Sequence, residues 1–96
     1  MSLKNAKAKG AKNERKSIKL LEIAGYHCTK SGASLGAFDV IGISATGIVL
    51  VQCKSNRWPD PTEMEAMRAF PAPSNAVKLI HRWNDRSRTP VVKEIV

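Results

Sequence analysis

The strongest constraint on how this chain can fold lies between residues 36 and 54, where two apolar runs flank a short polar turn. Ala37 to Ile43 and Gly47 to Lys54 are rich in β-branched and apolar residues, and Ser44-Ala-Thr-Gly47 joins them. The expectation is a hairpin. Side chains alternate across a strand, so Asp39, Ile41 and Ile43 are expected on one face of the first run. Ile48, Leu50, Gln52 and Lys54 are expected on one face of the second. A carboxylate, an amide and an ammonium therefore end two otherwise apolar strips. Burying even a neutral polar group unpaired costs on the order of 2–7 kcal/mol, so these ends are expected to meet water, an ion or each other. Such an arrangement suits a catalytic site at the edge of a core.

The flanking segments supply elements that cover the hairpin. From Ala11 to Ala24 the apolar spacing is helical, with Gly25 as the stop. Glu14, Ile18 and Leu21 stand at i, i+4 and i+7, which puts Glu14 on the apolar stripe. Helix glutamates commonly do no more than pair with a nearby lysine or arginine, but the stripe position favours a functional role. Tyr26 to Lys30 reads as a short strand, and Ser31 to Gly36 as a loop of small residues. Small residues let a backbone approach a ligand, and serine hydroxyls can donate to phosphate; a plain flexible connection is the alternative. Pro59 and Pro61 keep Ser55 to Pro61 out of any helix or central strand. Thr62-Glu-Met-Glu65 has the form of a capping box with Thr62 as N-cap. It opens a helix that buries Met64, Met67 and Phe70 and stops at Pro71-Ala-Pro73. Asn75 to Trp83 is a further strand, and Pro90 to Ile95 a marginal edge strand. The order is αβββαβ with one additional strand.

Ninety-six residues leave room for one core, so residues 1–96 are expected to form a single domain. The 16 Lys and Arg against 8 Asp and Glu give a net charge of +8, which points to a polyanionic partner. The excess is uneven: Lys4, Lys7, Lys9, Lys12, Arg15, Lys16, Lys19 and Lys30 are opposed before residue 31 only by Glu14 and Glu22. Residues 1–9 have little to bury and several like charges, and a flexible basic arm is expected there. Cys28 and Cys53 stand in apolar strand contexts and are read as reduced core residues of an intracellular, cytoplasmic protein, with a disulfide as the alternative. No zinc-ligand spacing occurs. No apolar run reaches the length of a membrane span, and the basic N-terminus lacks the apolar stretch of a signal peptide.

In chain order, Lys9-Gly10, Asn13-Glu14-Arg15 before an apolar helix, Ser31-Gly-Ala-Ser34 leading to Asp39, and Gln52-Cys-Lys54-Ser55 resemble the PD-(D/E)xK nuclease superfamily. Within it they look like the archaeal-type Holliday-junction resolvases, which also occur in phages. The similarity spans residues 9 to 83 and is carried by the ordered set. It implies an α/β, restriction-endonuclease-like αβββαβ core with a mixed central sheet flanked by helices. It also implies a homodimer, four-way junction DNA as substrate, and Mg2+ as cofactor with Mn2+ as a substitute. Asp39 is the implied metal ligand, joined by the Cys53 carbonyl, the Gln52 side-chain oxygen and Glu14. Lys54 would orient the attacking water or stabilise transition-state charge. Ser34 matches the loop serine of the family, with Ser31 as a rival, and Lys9, Lys12, Arg15, Lys30, Ser31 and Arg57 are the expected DNA contacts. Gln52 departs from the commoner acid: a neutral amide takes one negative charge from the site, although its oxygen remains a competent ligand. A related repair nickase and a non-catalytic DNA-binding module on the same fold are the alternatives. An RNA-binding protein fits the charge but leaves the ordered motifs unexplained.

Overall fold

The computed structural model describes residues 3–32 and 36–96, with side chains described from residue 10 onward. The first helix, α1 (Leu3–Ile23), begins well before the Ala11 start implied by the apolar spacing. Leu3 to Lys9 consists largely of Ala, Lys and Leu, which are strong helix formers, and the single Gly10 costs only about 1 kcal/mol. The helix stops as expected at Gly25, whose φ of +101° is open to glycine at no steric cost. The Gly25 N–H donates to the Glu22 carbonyl and the Tyr26 N–H to the Leu21 carbonyl, each at 3.0 Å, the bonds of a Schellman motif.

A five-stranded sheet follows: β1 (His27–Lys30), β2 (Val40–Ile43), β3 (Ile48–Ser55), β4 (Ala76–Trp83) and β5 (Val91–Ile95), lying side by side in chain order. Neighbours pair antiparallel except β3 and β4, which run parallel with α2 (Pro61–Ala69) as their crossover. The expected hairpin is present, although β2 begins at Val40 and not at Ala37. Two cores form, one on each face of the sheet. On one, Leu21 and Ile18 of α1 pack on Val40, Val49 and Val51; on the other, Met67 and Met64 of α2 pack with Phe38, Leu50 and Ile80. Burial of β3 on both faces explains why Ile48 to Val51 is continuously apolar. A Cβ on Gly42 would come within 2.9 Å of both Cys28 Sγ and Val49 Cγ1, so the tight α1-side packing of β1, β2 and β3 requires glycine there.

The start of α2 differs from the sequence reading. Asp60, not Thr62, is the N-cap; its side chain accepts from the Glu63 N–H at 2.8 Å, and the Glu63 carboxylate accepts from the Asp60 N–H at 3.1 Å. Pro61 sits in the first turn, where its missing N–H is no loss, so the proline opens the helix where it was expected to precede it. Met67 is buried as expected, with Met64 and Phe70 half-buried beside it.

A buried polar hub fixes α1 to the sheet. Ser17 is fully buried, and its Oγ accepts from Trp83 Nε1 at 2.8 Å and from Cys53 Sγ at 3.3 Å. Its own proton is therefore left for His81 Nδ1, 2.9 Å away, which puts the neutral imidazole proton on Nε2. Burial also holds the His81 pKa below its ordinary value. One turn earlier, Asn13 Nδ2 donates to Ser55 Oγ at 2.6 Å. Cys28 and Cys53 are free thiols. Among the described residues no helix is long and apolar enough to cross a membrane.

Candidate active site

The site is built where the β2–β3 ladder breaks. Val40 lies opposite Val51 and Ile41 opposite Leu50, so a regular continuation would set Phe38 opposite Cys53. The chain bends at Asp39 instead. The Asp39 N–H donates to the Val51 carbonyl at 2.8 Å, and Asp39 Oδ2 accepts the Cys53 N–H at 2.8 Å. Phe38 joins the α2-side core while Val40 joins the α1-side core, although residues two apart in a regular strand share a face. Asp39 therefore does not sit in the alternation with Ile41 and Ile43 that the sequence implies. An irregularity of the bulge kind has re-aimed its carboxylate onto the backbone of β3. Ser31 braces the bend: its N–H donates to the Asp39 carbonyl at 2.9 Å and its hydroxyl to the Phe38 carbonyl.

Two acids approach this point from different elements. Burial raises the Asp39 pKa and the nearby Glu63 charge adds to it, against the Cys53 N–H and Lys54, which lower it. Glu14, reaching in from α1, is also raised, first by burial and then by the charge of Asp39. Its Oε1 lies 3.8 Å from Lys30 Nζ, the pairing with a nearby lysine that a helix glutamate commonly makes. Gln52 is buried at 6% exposure. Its Nε2 donates to Glu63 Oε2 at 3.3 Å, while among the described residues its Oε1 has no partner. Lys54 Nζ donates to both oxygens of Glu63, at 3.2 and 3.0 Å. Glu63 is held ionised below the usual carboxylate range, chiefly by the Asp60 N–H. The Cys53 thiol points to Ser17, and burial pushes its pKa up to about 12, so Cys53 offers the site its main chain only.

The structure thus brings Glu14, Asp39, Gln52, Cys53 and Lys54 to the C-terminal end of β3. Ser34 lies outside the described residues, as does the side chain of Lys9. Lys12 and Arg15 are exposed on α1 and line a surface groove with Lys16 and Lys19. Lys12 and Lys16 also line a cleft of about 300 Å³ with Trp83 and Arg86. Lys30 stands beside Glu14, Arg57 is exposed in the loop after β3, and the Ser31 hydroxyl is engaged by the Phe38 carbonyl. Glu63 was missed. The signal for it was Asp60-Pro-Thr-Glu63, which has capping-box spacing with a proline at the first helical position.

Among the described residues no three His, Cys, Asp or Glu side chains gather as a ready-made metal site. The donor set is mixed: the Asp39 carboxylate, the Gln52 amide oxygen and the Cys53 main chain. A buried acceptor without a partner costs about 1–3 kcal/mol, and Gln52 Oε1 has none among the described residues. All-oxygen donors of this kind suit Mg2+ or Mn2+. The residues fit a hard divalent cation.

No protein-family model matches the sequence, and no curated protein matches it either. Among solved structures, the chain is similar to Archaeoglobus fulgidus Hjc, a Holliday junction resolvase from an archaeal hyperthermophile. The TM-score is 0.72 over 91% of this chain and 73% of that chain, at 16% sequence identity. The likeness shows the fold to be the expected α/β, restriction-endonuclease-like one, a mixed sheet with helices on its faces.

Proposed function

We propose that the chain is a structure-selective endodeoxyribonuclease, resolvase-like, that hydrolyses phosphodiester bonds in branched DNA with four-way junctions as substrate. One observation carries the reading: a bent strand sets the Asp39 carboxylate on the β3 backbone beside Gln52, whose buried oxygen has no partner among the described residues, on the fold of a resolvase. Asp39, Gln52 Oε1 and the Cys53 carbonyl would hold Mg2+ or Mn2+, with Glu14 adding charge from α1. Such an ion supplies positive charge to the attacked phosphate and lowers the pKa of water. Lys54 provides an ammonium fixed by Glu63 at the same strand end, suited to orienting water or to meeting the charge that develops on the phosphate. The exposed lysines and Arg15 of α1 provide a sequence-independent track for the DNA backbone. A junction has two strands to be cut, which a homodimer with two such sites would serve.

The neutrality of Gln52 and the existing Lys54–Glu63 ion pair favour a second reading, a DNA-binding module without turnover. Incubation with a labelled synthetic four-way junction, matched duplex and single strand, with Mg2+ or EDTA, separates the two. Metal-dependent cutting of the junction is expected; tight binding with no cutting in any metal establishes the second reading.

A further inference from the structure

We infer that Glu63 is a positioning residue of this centre, which orients the Gln52 amide so that its oxygen faces the cation and supplies from α2 the negative charge that Gln52 lacks. The inference rests on the nuclease reading above. An amide's two ends are told apart by their partners. An ionised carboxylate only accepts, so the group 3.3 Å from Glu63 Oε2 is the Gln52 nitrogen, and the oxygen is turned elsewhere. That oxygen belongs to a residue only 6% exposed and has no partner among the described residues. The sequence of contacts is carboxylate, amide, ligand atom.

Glu63 is well placed for this part because it is itself held. The Asp60 N–H donates to Oε1 at 3.1 Å, the capping box fixes its backbone, and Lys54 Nζ lies within 3.2 Å of both oxygens. Its position is thus set by the start of α2 and by β3 together. One carboxylate bridges the amide and the ammonium of Gln52-Cys-Lys54 and so sets the distance between ligand and Lys54. Outer carboxylates that hold a neutral ligand in place raise its donor strength, and their loss costs about 10–100-fold in metal affinity.

The test is calorimetric Mn2+ titration of the DNA-free chain as wild type, Glu63→Gln, Asp39→Ala and the double variant Gln52→Glu/Glu63→Gln. Glutamine at this position still completes a capping box, so Glu63→Gln keeps α2, and thermal melts verify the fold. Glu63→Gln is expected to weaken Mn2+ binding by about 10–100-fold. The double variant, which moves the charge from helix to strand, is expected to recover most of that loss. Unchanged affinity in Glu63→Gln, or no recovery in the double variant, while Asp39→Ala abolishes binding, overturns the role of Glu63 and leaves the nuclease reading standing. A wild type that binds no Mn2+ overturns the nuclease reading itself, and this role with it.

Discussion

Ser17→Ala should destabilise the fold severely although it removes one oxygen atom. Ser17 Oγ serves two nearly buried groups at once, the Trp83 indole N–H and His81 Nδ1, each on a residue 3% exposed. Each buried polar group left without a partner costs about 1–3 kcal/mol. The Cys53 thiol is a weak donor and adds little. The sum is about 2–6 kcal/mol, a large share of the roughly 5–15 kcal/mol available to a small domain. At about 4–8 °C per kcal/mol for a chain of this size, the melting temperature should fall by at least about 8 °C. Urea denaturation read by tryptophan fluorescence measures the change, with Ser74→Ala on the exposed surface as a control expected to stay within about 0.5 kcal/mol. A loss in Ser17→Ala no larger than the control's would refute the view that this hub pins α1, and with it Glu14, to the end of β3.

Further outcomes follow from the charges. Asp39 has a folded pKa above its ordinary 3.8, so the stability it contributes is lost as pH rises from that value through the folded pKa. Asp39→Asn should therefore melt higher than wild type at neutral pH while losing metal binding; an equal or lower melting temperature in two buffers contradicts this. His81 has a folded pKa below 6.5, so its contribution is full above that value and is lost as pH falls from 6.5 through the folded pKa. Urea midpoints measured from pH 7.5 downward should begin to drop near 6.5, and in His81→Gln that part of the drop should vanish. Junction binding should be strongly salt dependent: if about 6–10 phosphates are contacted, affinity falls by roughly a thousandfold or more between 50 and 200 mM salt. A flat titration would argue against the α1 track.

Much of the fold was legible because periodicity carries it. The β3 run, the stop at Gly25 and the hairpin turn each depend on local chemistry that a sequence displays. The start of α1 was not, since Lys-rich and Ala-rich segments look like a charged arm until their helix propensity is weighed. Of the site, Asp39, Gln52 and Lys54 were legible as polar ends of apolar strips, but the reason Asp39 reaches β3 was not. Alternation assumes a regular strand, and the bend at Asp39 depends on Ser31 and Phe38, whose bonds are tertiary. Glu63 was hidden for a similar reason: Thr62-Glu-Met-Glu65 has capping-box spacing that points to Glu65, whereas Asp60 and Pro61 set the helix start and aim Glu63 at β3.

Cleavage of a labelled four-way junction by Asp39→Ala, measured beside its affinity for the same junction, bears most directly on the proposed chemistry. Asp39 is assigned to a cation and not to a phosphate, so Mg2+-dependent cleavage should be abolished while junction affinity stays close to that of wild type; Lys54→Ala should behave likewise. A folded Asp39→Ala variant that cuts the junction at the wild-type rate would contradict it.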